Sequence, residues 1–432
     1  MRRSRRLTVA LACACAFGLG LACAADAVAA SGPYVVVYKD SVLDPTAATD
    51  QLQTKYGFSA RFDYTSALKG FAATLSDAQR TALAADPAVA YVVTDKPVNA
   101  SGLVPVASGE TVPPGIRRVG AATLTQAHQA ANGAVAVIDS GVDLKNPDLN
   151  AVSGTNCVTT GTAAQDDNGH GSNVAGILAA KNTGSTLTGV APGTKIYAVK
   201  VLNSRATGTL SQIICGMDWV TANAAALNIK VANMSIEGSG SNDNNCGNTN
   251  NDAWHKAICR SVAAGVTYVV SAGNSKTGFG STIPAAYPEV LTTTAMSDTD
   301  GLGGAKGAAP SCKSGEKDDS YGTYSNYAVS STDIAHTIAA PGTCVVGDKI
   351  GGGTTTYYGT SQAAPHVAGA VALCLGSGGV TGPCSGLTPA QIVSKIRSDA
   401  ASYATLSNGF TGDPLRPISG KYFGYLDAAG LY

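Results

Sequence analysis

Ala134-Val135-Ala136-Val137-Ile138-Asp139-Ser140-Gly141 is the stretch that decides the fold. Its first five residues are all apolar, so an extended segment there buries both of its faces. Such a strand belongs to a parallel sheet covered by helices on each side. Reading outward, Ile196-Tyr197-Ala198-Val199-Lys200-Val201-Leu202, Ile229-Lys230-Val231-Ala232-Asn233-Met234 and Val266-Thr267-Tyr268-Val269-Val270 are further strands. Helical patterns at 174–180, 210–227 and 252–264 separate them. The alternation implies an α/β class, three layers deep, with a mainly parallel sheet and helices on both faces.

Upstream the pattern changes. Residues 31–99 read as a small α+β module. Tyr34-Val35-Val36-Val37-Tyr38 and Ala90-Tyr91-Val92-Val93 are strands, with strand-like pieces near Phe62 and Phe71. Ser76 is an N-cap for an Ala/Leu-rich helix that Asp86-Pro87 stops. A Gly/Ser/Pro/Val-rich stretch, 101–114, is expected to be a flexible linker. The expected division is a leader at 1–30, the small module at 31–99, a linker or processing region at 100–112 and the large domain at 113–432.

Met1-Arg2-Arg3-Ser4-Arg5-Arg6 precedes an apolar run from Leu7 to Ala25, and Ala27-Val28-Ala29 offers a small-x-small cleavage site. This is the pattern of an export signal rather than a membrane anchor, and it predicts a secreted protein, extracellular or periplasmic. Formal net charge is zero and only 13% of residues are charged, which removes any electrostatic reason to expect nucleic acid or a membrane surface as partner. Eight cysteines lie beyond the leader: Cys157, Cys215, Cys246, Cys259, Cys312, Cys344, Cys374 and Cys384. An even number in an exported chain argues for disulfides, and no paired C-x-x-C spacing favours zinc. Sequential pairing is the expectation, Cys374–Cys384 and Cys246–Cys259 closing short loops. A monomer is the default.

In a parallel sheet, chemistry gathers at the carboxyl ends of the strands. Asp139 ends the first strand and Asn274 follows the strand that runs to Val270. His170, in Asn168-Gly169-His170-Gly171, opens a helix. Ser361 stands just before an apolar helix at 363–375. A serine hydroxyl becomes a nucleophile when a neutral imidazole takes its proton, and an Asp behind the imidazole holds the right tautomer. A backbone N–H at the start of the helix and the Asn274 amide would then receive the oxyanion. Singly, Ser361 could be a cap and Asn274 a turn residue; together, in this order, the four form a hydrolytic set. His128, His255 and His366 read as structural, and His336 has no assigned role.

These segments resemble the subtilisin-like serine proteases (subtilases, peptidase family S8). The eleven residues Gly359-Thr360-Ser361-Gln362-Ala363-Ala364-Pro365-His366-Val367-Ala368-Gly369 carry most of the likeness. Gly189-Val190-Ala191-Pro192, Ile283-Pro284-Ala285-Ala286-Tyr287-Pro288 and Ala340-Pro341-Gly342 support it, and residues 34–95 resemble the family's inhibitor I9-type propeptide. The resemblance implies a serine endopeptidase with an acyl-enzyme intermediate. Its own propeptide would inhibit it and be released by self-cleavage between Lys96 and Glu110. The catalytic residues would be Asp139, His170 and Ser361, with Asn274 in the oxyanion hole. Polypeptide substrates would bind as an added strand beside Thr207-Gly208-Thr209 and Ser235-Ile236-Glu237-Gly238. No cofactor is implied for catalysis. A structural calcium is allowed at Asp148, with carbonyls from the loop 181–187. The contrasting expectation is an inactive, protease-shaped binding protein; an esterase of the α/β-hydrolase type is excluded by the lack of G-x-S-x-G.

Four positions depart from the family pattern. Gln362 stands where Met is usual, Asn173 where a second His is frequent, and Thr337 where a calcium-binding Asp is frequent. Glu237 replaces a Gly at the rim of the primary pocket, which would bias that pocket toward Lys or Arg.

Overall fold

The computed structural model describes residues 31–95 and 103–432. The expected export leader, residues 96–99 of the small module and residues 100–102 of the processing region lie outside the described residues. The chain divides into two compact units, the first ending at Val98 and the second running from Asn99 to Tyr432.

In the first unit, four strands, β1 (Ser31–Tyr38), β2 (Ala60–Tyr64), β3 (Gly70–Ser76) and β4 (Val89–Thr94), form an antiparallel sheet in the order β2-β3-β1-β4. Two helices, α1 (Pro45–Tyr56) and α2 (Asp77–Ala84), supply Leu52 and Leu83 to a core with Val36, Phe71 and Leu75. Ser76 caps α2 through a reciprocal box with Gln79. Helix α1 is absent from the sequence reading, although its punctuation is plain. Asp44 caps Ala47, Pro45 opens the first turn and Gly57 closes the helix in the left-handed region.

The second unit is built on seven longer strands: β5 (Ala134–Asp139), β6 (Ala151–Asn156), β7 (Ile196–Lys200), β8 (Ile229–Met234), β9 (Thr267–Ser271), β10 (Leu291–Ser297) and β11 (Thr337–Thr343). Their order is β11-β10-β9-β8-β5-β7-β6, every neighbour parallel, and the short strand Ser320–Tyr321 pairs antiparallel with β10. The helices that matter are α3 (His170–Ala179), α4 (Leu210–Asn223), α5 (Ala253–Ala263), α6 (Thr360–Leu375) and α7 (Pro389–Tyr403).

The strand that opened the sequence reading shows why there are three layers. Side chains alternate across a strand. Val135 and Val137 pack with Leu178, Val367, Val371 and Ile396 from α3, α6 and α7. Ala134, Ala136 and Ile138 pack with Ile213, Met217 and Ile258 from α4 and α5. Burying one such side chain contributes about 1.5–3 kcal/mol, so a charge on either face of β5 would destabilise the sheet.

Strands β6, β10 and β11 escaped the sequence reading. In β10 three consecutive threonines are fully buried. Their hydroxyls are the reason they look like a loop in sequence, yet Thr292 donates to the Ala285 carbonyl and Thr294 to those of Ile338 and Phe423. The flexible linker is a correction. From residue 103 the chain lies on the second unit: Leu103–Pro105 pairs with Gln126–His128, and Ala107 donates to Asn182. Composition suggested freedom, but the backbone groups there find partners far along the chain. All four disulfides are sequential, Cys157–Cys215, Cys246–Cys259, Cys312–Cys344 and Cys374–Cys384, with Cα separations of 5.1–6.1 Å. Among the described residues no helix is long and apolar enough to cross a membrane.

Candidate active site

The carboxyl edge of the sheet brings Asp139, His170, Ser361 and Asn274 together. Asp139 is fully buried at the end of β5. His170 is the first residue of α3, and its Nδ1 lies 2.8 and 2.9 Å from the two Asp139 carboxylate oxygens. Gly171 allows this approach, since a Cβ there would collide with the Gly141 carbonyl. Burial works against a charged imidazole, but the Asp139 carboxylate outweighs it and holds the His170 pKa above the usual value.

A buried acid holds the histidine loop in place. Asp166 accepts the Asn168 and Gly169 N–H groups at 3.0 Å and those of Ser172 (N–H 2.9 Å, O–H 2.6 Å). It also accepts the Ser140 hydroxyl at 2.9 Å, and Ser140 in turn accepts the Gly171 N–H. Asp166 thus caps α3 and ties it to the end of β5. The sequence reading missed it; the signal was an acid four residues ahead of a helix-opening histidine.

Ser361 is the second residue of α6, not a residue ahead of it. Pro365 inside that helix has no N–H, so the Ser361 carbonyl lacks its ordinary helical donor. Ser235 supplies one: its hydroxyl donates to the Ser361 carbonyl at 2.9 Å, while the Ser361 hydroxyl donates to the Ser235 carbonyl at 3.3 Å. The second bond is long for O–H···O, so the Ser361 hydroxyl is only weakly held there. The Asn274 Oδ1 accepts the Thr360 N–H at 2.9 Å and its hydroxyl at 3.2 Å. That pair of donors orients the amide and leaves Nδ2 available.

All four residues except the buried Asp139 line one cleft of about 360 Å³. Thr207, Gly208, Ser235, Ile236 and Glu237 line it too. Thr209 and Gly238 do not: Thr209 caps α4 in a reciprocal box with Gln212, and Gly238 pairs with Ile283. A larger cavity of about 800 Å³ lies at the opposite edge, by Gly133, Asn228 and Gly265 near the amino ends of the strands. It holds none of these groups.

The Subtilase family model matches residues 131–411, and the Peptidase inhibitor I9 model matches residues 34–101. The chain belongs to the subtilase family. It is 33% identical over 350 residues to Subtilisin E of Bacillus subtilis (strain 168), spanning 79% of this chain and 80% of the relative. It is 30% identical over 377 residues to the Extracellular serine proteinase of Thermus sp. (strain Rt41A), spanning 80% and 81%. A cold adapted subtilisin-like serine proteinase of known crystal structure superposes with a TM-score of 0.53 at 26% identity, covering 74% of this chain and 98% of that one. This subtilase is a serine peptidase with an I9 propeptide domain.

Two of its departures from the family pattern are in contact. Gln362 and Asn173 are both buried, and the Gln362 Nε2 donates to the Asn173 Oδ1 at 3.3 Å. Asn173 donates its own amide to the Thr355 carbonyl at 3.1 Å. Each polar substitution therefore supplies part of the other's hydrogen bonding. Thr337 donates its hydroxyl to the Asp333 carbonyl. The histidines away from the cleft are packed inside: His255 stacks on Tyr287 and meets Glu289, His336 accepts from or donates to Thr292, and His128 and His366 are buried.

Asp148 does not stand alone. Burial, together with the nearby Glu110 charge, pushes its carboxyl up, and burial and Asp148 do the same to Asp348. Glu110 Oε2 accepts the Thr183 and Gly184 N–H groups at 2.9 and 2.6 Å, which brings it to the loop 181–187. The oxygens left without a hydrogen-bond partner are Glu110 Oε1, Asp148 Oδ2 and both of Asp348. Two buried carboxylates and the half-buried Glu110, each with an orphan oxygen, are a donor set suited to a hard divalent cation. Neither Glu110 nor Asp348 was singled out in sequence, because they lie far from Asp148 along the chain.

Proposed function

We propose that this subtilase is a secreted serine endopeptidase acting through Asp139, His170 and Ser361. The bidentate approach of the buried Asp139 to Nδ1 of His170, which shares one cleft with Ser361 and the oriented Asn274 amide, is the observation that carries the reading. His170 Nε2 takes the Ser361 proton as Oγ attacks the scissile carbonyl carbon. The Ser361 N–H and Asn274 Nδ2 receive the oxyanion. His170 then gives the proton to the amine as the C–N bond breaks, leaving an acyl-enzyme on Ser361. Water, deprotonated by His170, attacks the ester and frees Ser361. The extended peptide lies as a strand beside Thr207-Gly208 and Ser235-Ile236-Glu237, so recognition rests mainly on backbone and suits polypeptide substrates generally. The enzyme acts as a monomer, outside the cell or in the periplasm, and is first held inactive by its I9 domain.

Self-cleavage falls ahead of Leu103, because the residues from 103 onward pair within the second unit and Glu110 serves its acidic cluster. Calcium is not a reactant here. Glu110, Asp148 and Asp348 would hold one ion that neutralises their repulsion and fastens the segment around Glu110 to the loop 181–187.

The test is N-terminal sequencing of the wild-type product beside a Ser361→Ala form, with fluorophosphonate labelling of the processed protein. Wild type should lose the residues ahead of about 103 and label at Ser361; the variant should do neither. Processing in the variant, or no label on processed wild type, would overturn the reading in favour of an inactive binding protein.

A further inference from the structure

Among the described residues, Glu237 is the one ionisable group besides His170 that lines the catalytic cleft. Its carboxylate crosses from the 235–238 segment to the facing 271–274 segment: a Cβ at Gly273 would collide with Glu237 Oε2. It sits beside the oxyanion residue, close enough to the Asn274 backbone N–H to be steadied by it. Burial nevertheless pushes its pKa above the usual carboxylate value. Among the described residues, the charged groups on the neighbouring loops are Arg205 and Lys276, and neither acts on it. Elsewhere in the unit the buried Asp319 holds Arg118 and the buried Asp413 holds Arg416. A carboxylate left without a cation in the cleft that receives the substrate calls for a cation from that substrate.

We propose that Glu237 is the specificity-determining acid of the primary pocket, selecting peptides with Arg or Lys immediately before the scissile bond. The inference rests on Ser361 being the nucleophile, since that places the preceding side chain between the two segments. A neutral side chain entering there strips water from Glu237 and returns nothing. It also leaves an anion beside Asn274 where the oxyanion must form, which opposes the very charge the cleft is built to hold. A guanidinium or ammonium cancels both penalties, and the second is felt in the transition state, so discrimination falls on kcat/KM. An acidic side chain is rejected most strongly, by like charge.

The test uses the mature wild type and Glu237→Gln on fluorogenic peptides differing only before the scissile bond: Arg, Lys, norleucine, Gln and Glu. In wild type, kcat/KM for Arg should exceed that for norleucine by on the order of 100-fold, below the limit for a fully buried pair because the pocket opens to solvent. In Glu237→Gln the ratio should fall to a few-fold, with norleucine cleaved as fast or faster. The Arg-to-norleucine ratio in wild type should decline on acidification as Glu237 is protonated, and stay flat in the variant; His170 is common to both substrates and cancels. Fluorophosphonate labelling of the variant confirms that it is folded and competent, and Glu237→Asp should retain part of the preference. The same substrate profile in wild type and Glu237→Gln, or a pH-flat ratio in wild type, overturns the proposal while leaving the triad intact. Absence of labelling in wild type overturns the triad itself, and this inference with it.

Discussion

Asp139→Asn puts the triad geometry under direct test. Asp139 is fully buried and meets His170 Nδ1 with both oxygens, at 2.8 and 2.9 Å. An amide there presents a donor toward Nδ1 and favours the tautomer with its proton on Nε2, where the Ser361 proton must go. From triads of this geometry the loss in kcat is about 10⁴-fold, equivalent to roughly 5.5 kcal/mol of barrier. The structure adds a second readout. The Asp139 charge is what holds the His170 pKa above its usual value against burial. Without it burial dominates, and the pKa falls below about 6.5. The base is then free at lower pH, so the acidic limb of the rate profile moves to lower pH even as the maximum collapses. The assay is self-cleavage of the full chain, followed as conversion of the precursor from pH 4 to 9, which needs no separate maturation. An unmoved acidic limb, or a loss of less than tenfold, refutes the role given to Asp139.

Asn274→Ala should lower kcat by about 10²–10³-fold with KM little changed, a magnitude established on this family's own oxyanion asparagine rather than worked out from this chain; a loss confined to KM would remove the residue from the oxyanion hole. Chelation should lower the melting temperature of Ser361→Ala protein, and Asp348→Asn should abolish most of that calcium response. The pH trend has a definite sign: with no ion, the raised carboxyls of Asp148 and Asp348 bind more protons folded than unfolded, so stability declines as pH rises from about 4 toward their folded values. Saturating calcium should flatten that slope, and a slope unaffected by calcium counts against the site. Gln362→Met orphans the Asn173 Oδ1 and should cost about 1–3 kcal/mol; adding Asn173→Ala should recover part of it, and strictly additive melting shifts would deny the coupling.

The main elements were legible because their signals are local. A wholly apolar run before Asp139 and mainly apolar runs elsewhere identify β5, β7, β8 and β9 as strands of a covered sheet, and Ser76 with Gln79 is a capping box in four consecutive letters. Elements whose side chains are satisfied at a distance were hidden. The β10 threonines look like a loop until the Ala285, Ile338 and Phe423 carbonyls receive their hydroxyls. Residues 103–112 look like a linker until Gln126–His128 and Asn182 take up their backbone groups.

The site divides the same way. Ser361 and its ten neighbours, with Asp139, His170 and Asn274 in order, were readable at once, since each sits at the junction of a strand or helix with a distinctive short context. That made family, reaction class and the candidate catalytic residues a matter of sequence alone. Only the folded chain could decide that Glu110 and Asp348 join Asp148, that Gln362 answers Asn173, and that among the described residues no cation meets Glu237 in its cleft. Each depends on residues far apart in the chain brought within hydrogen-bond or Coulomb range, and on burial. Sequence spacing carries neither quantity, because both arise when the sheet and its covering helices close on one another.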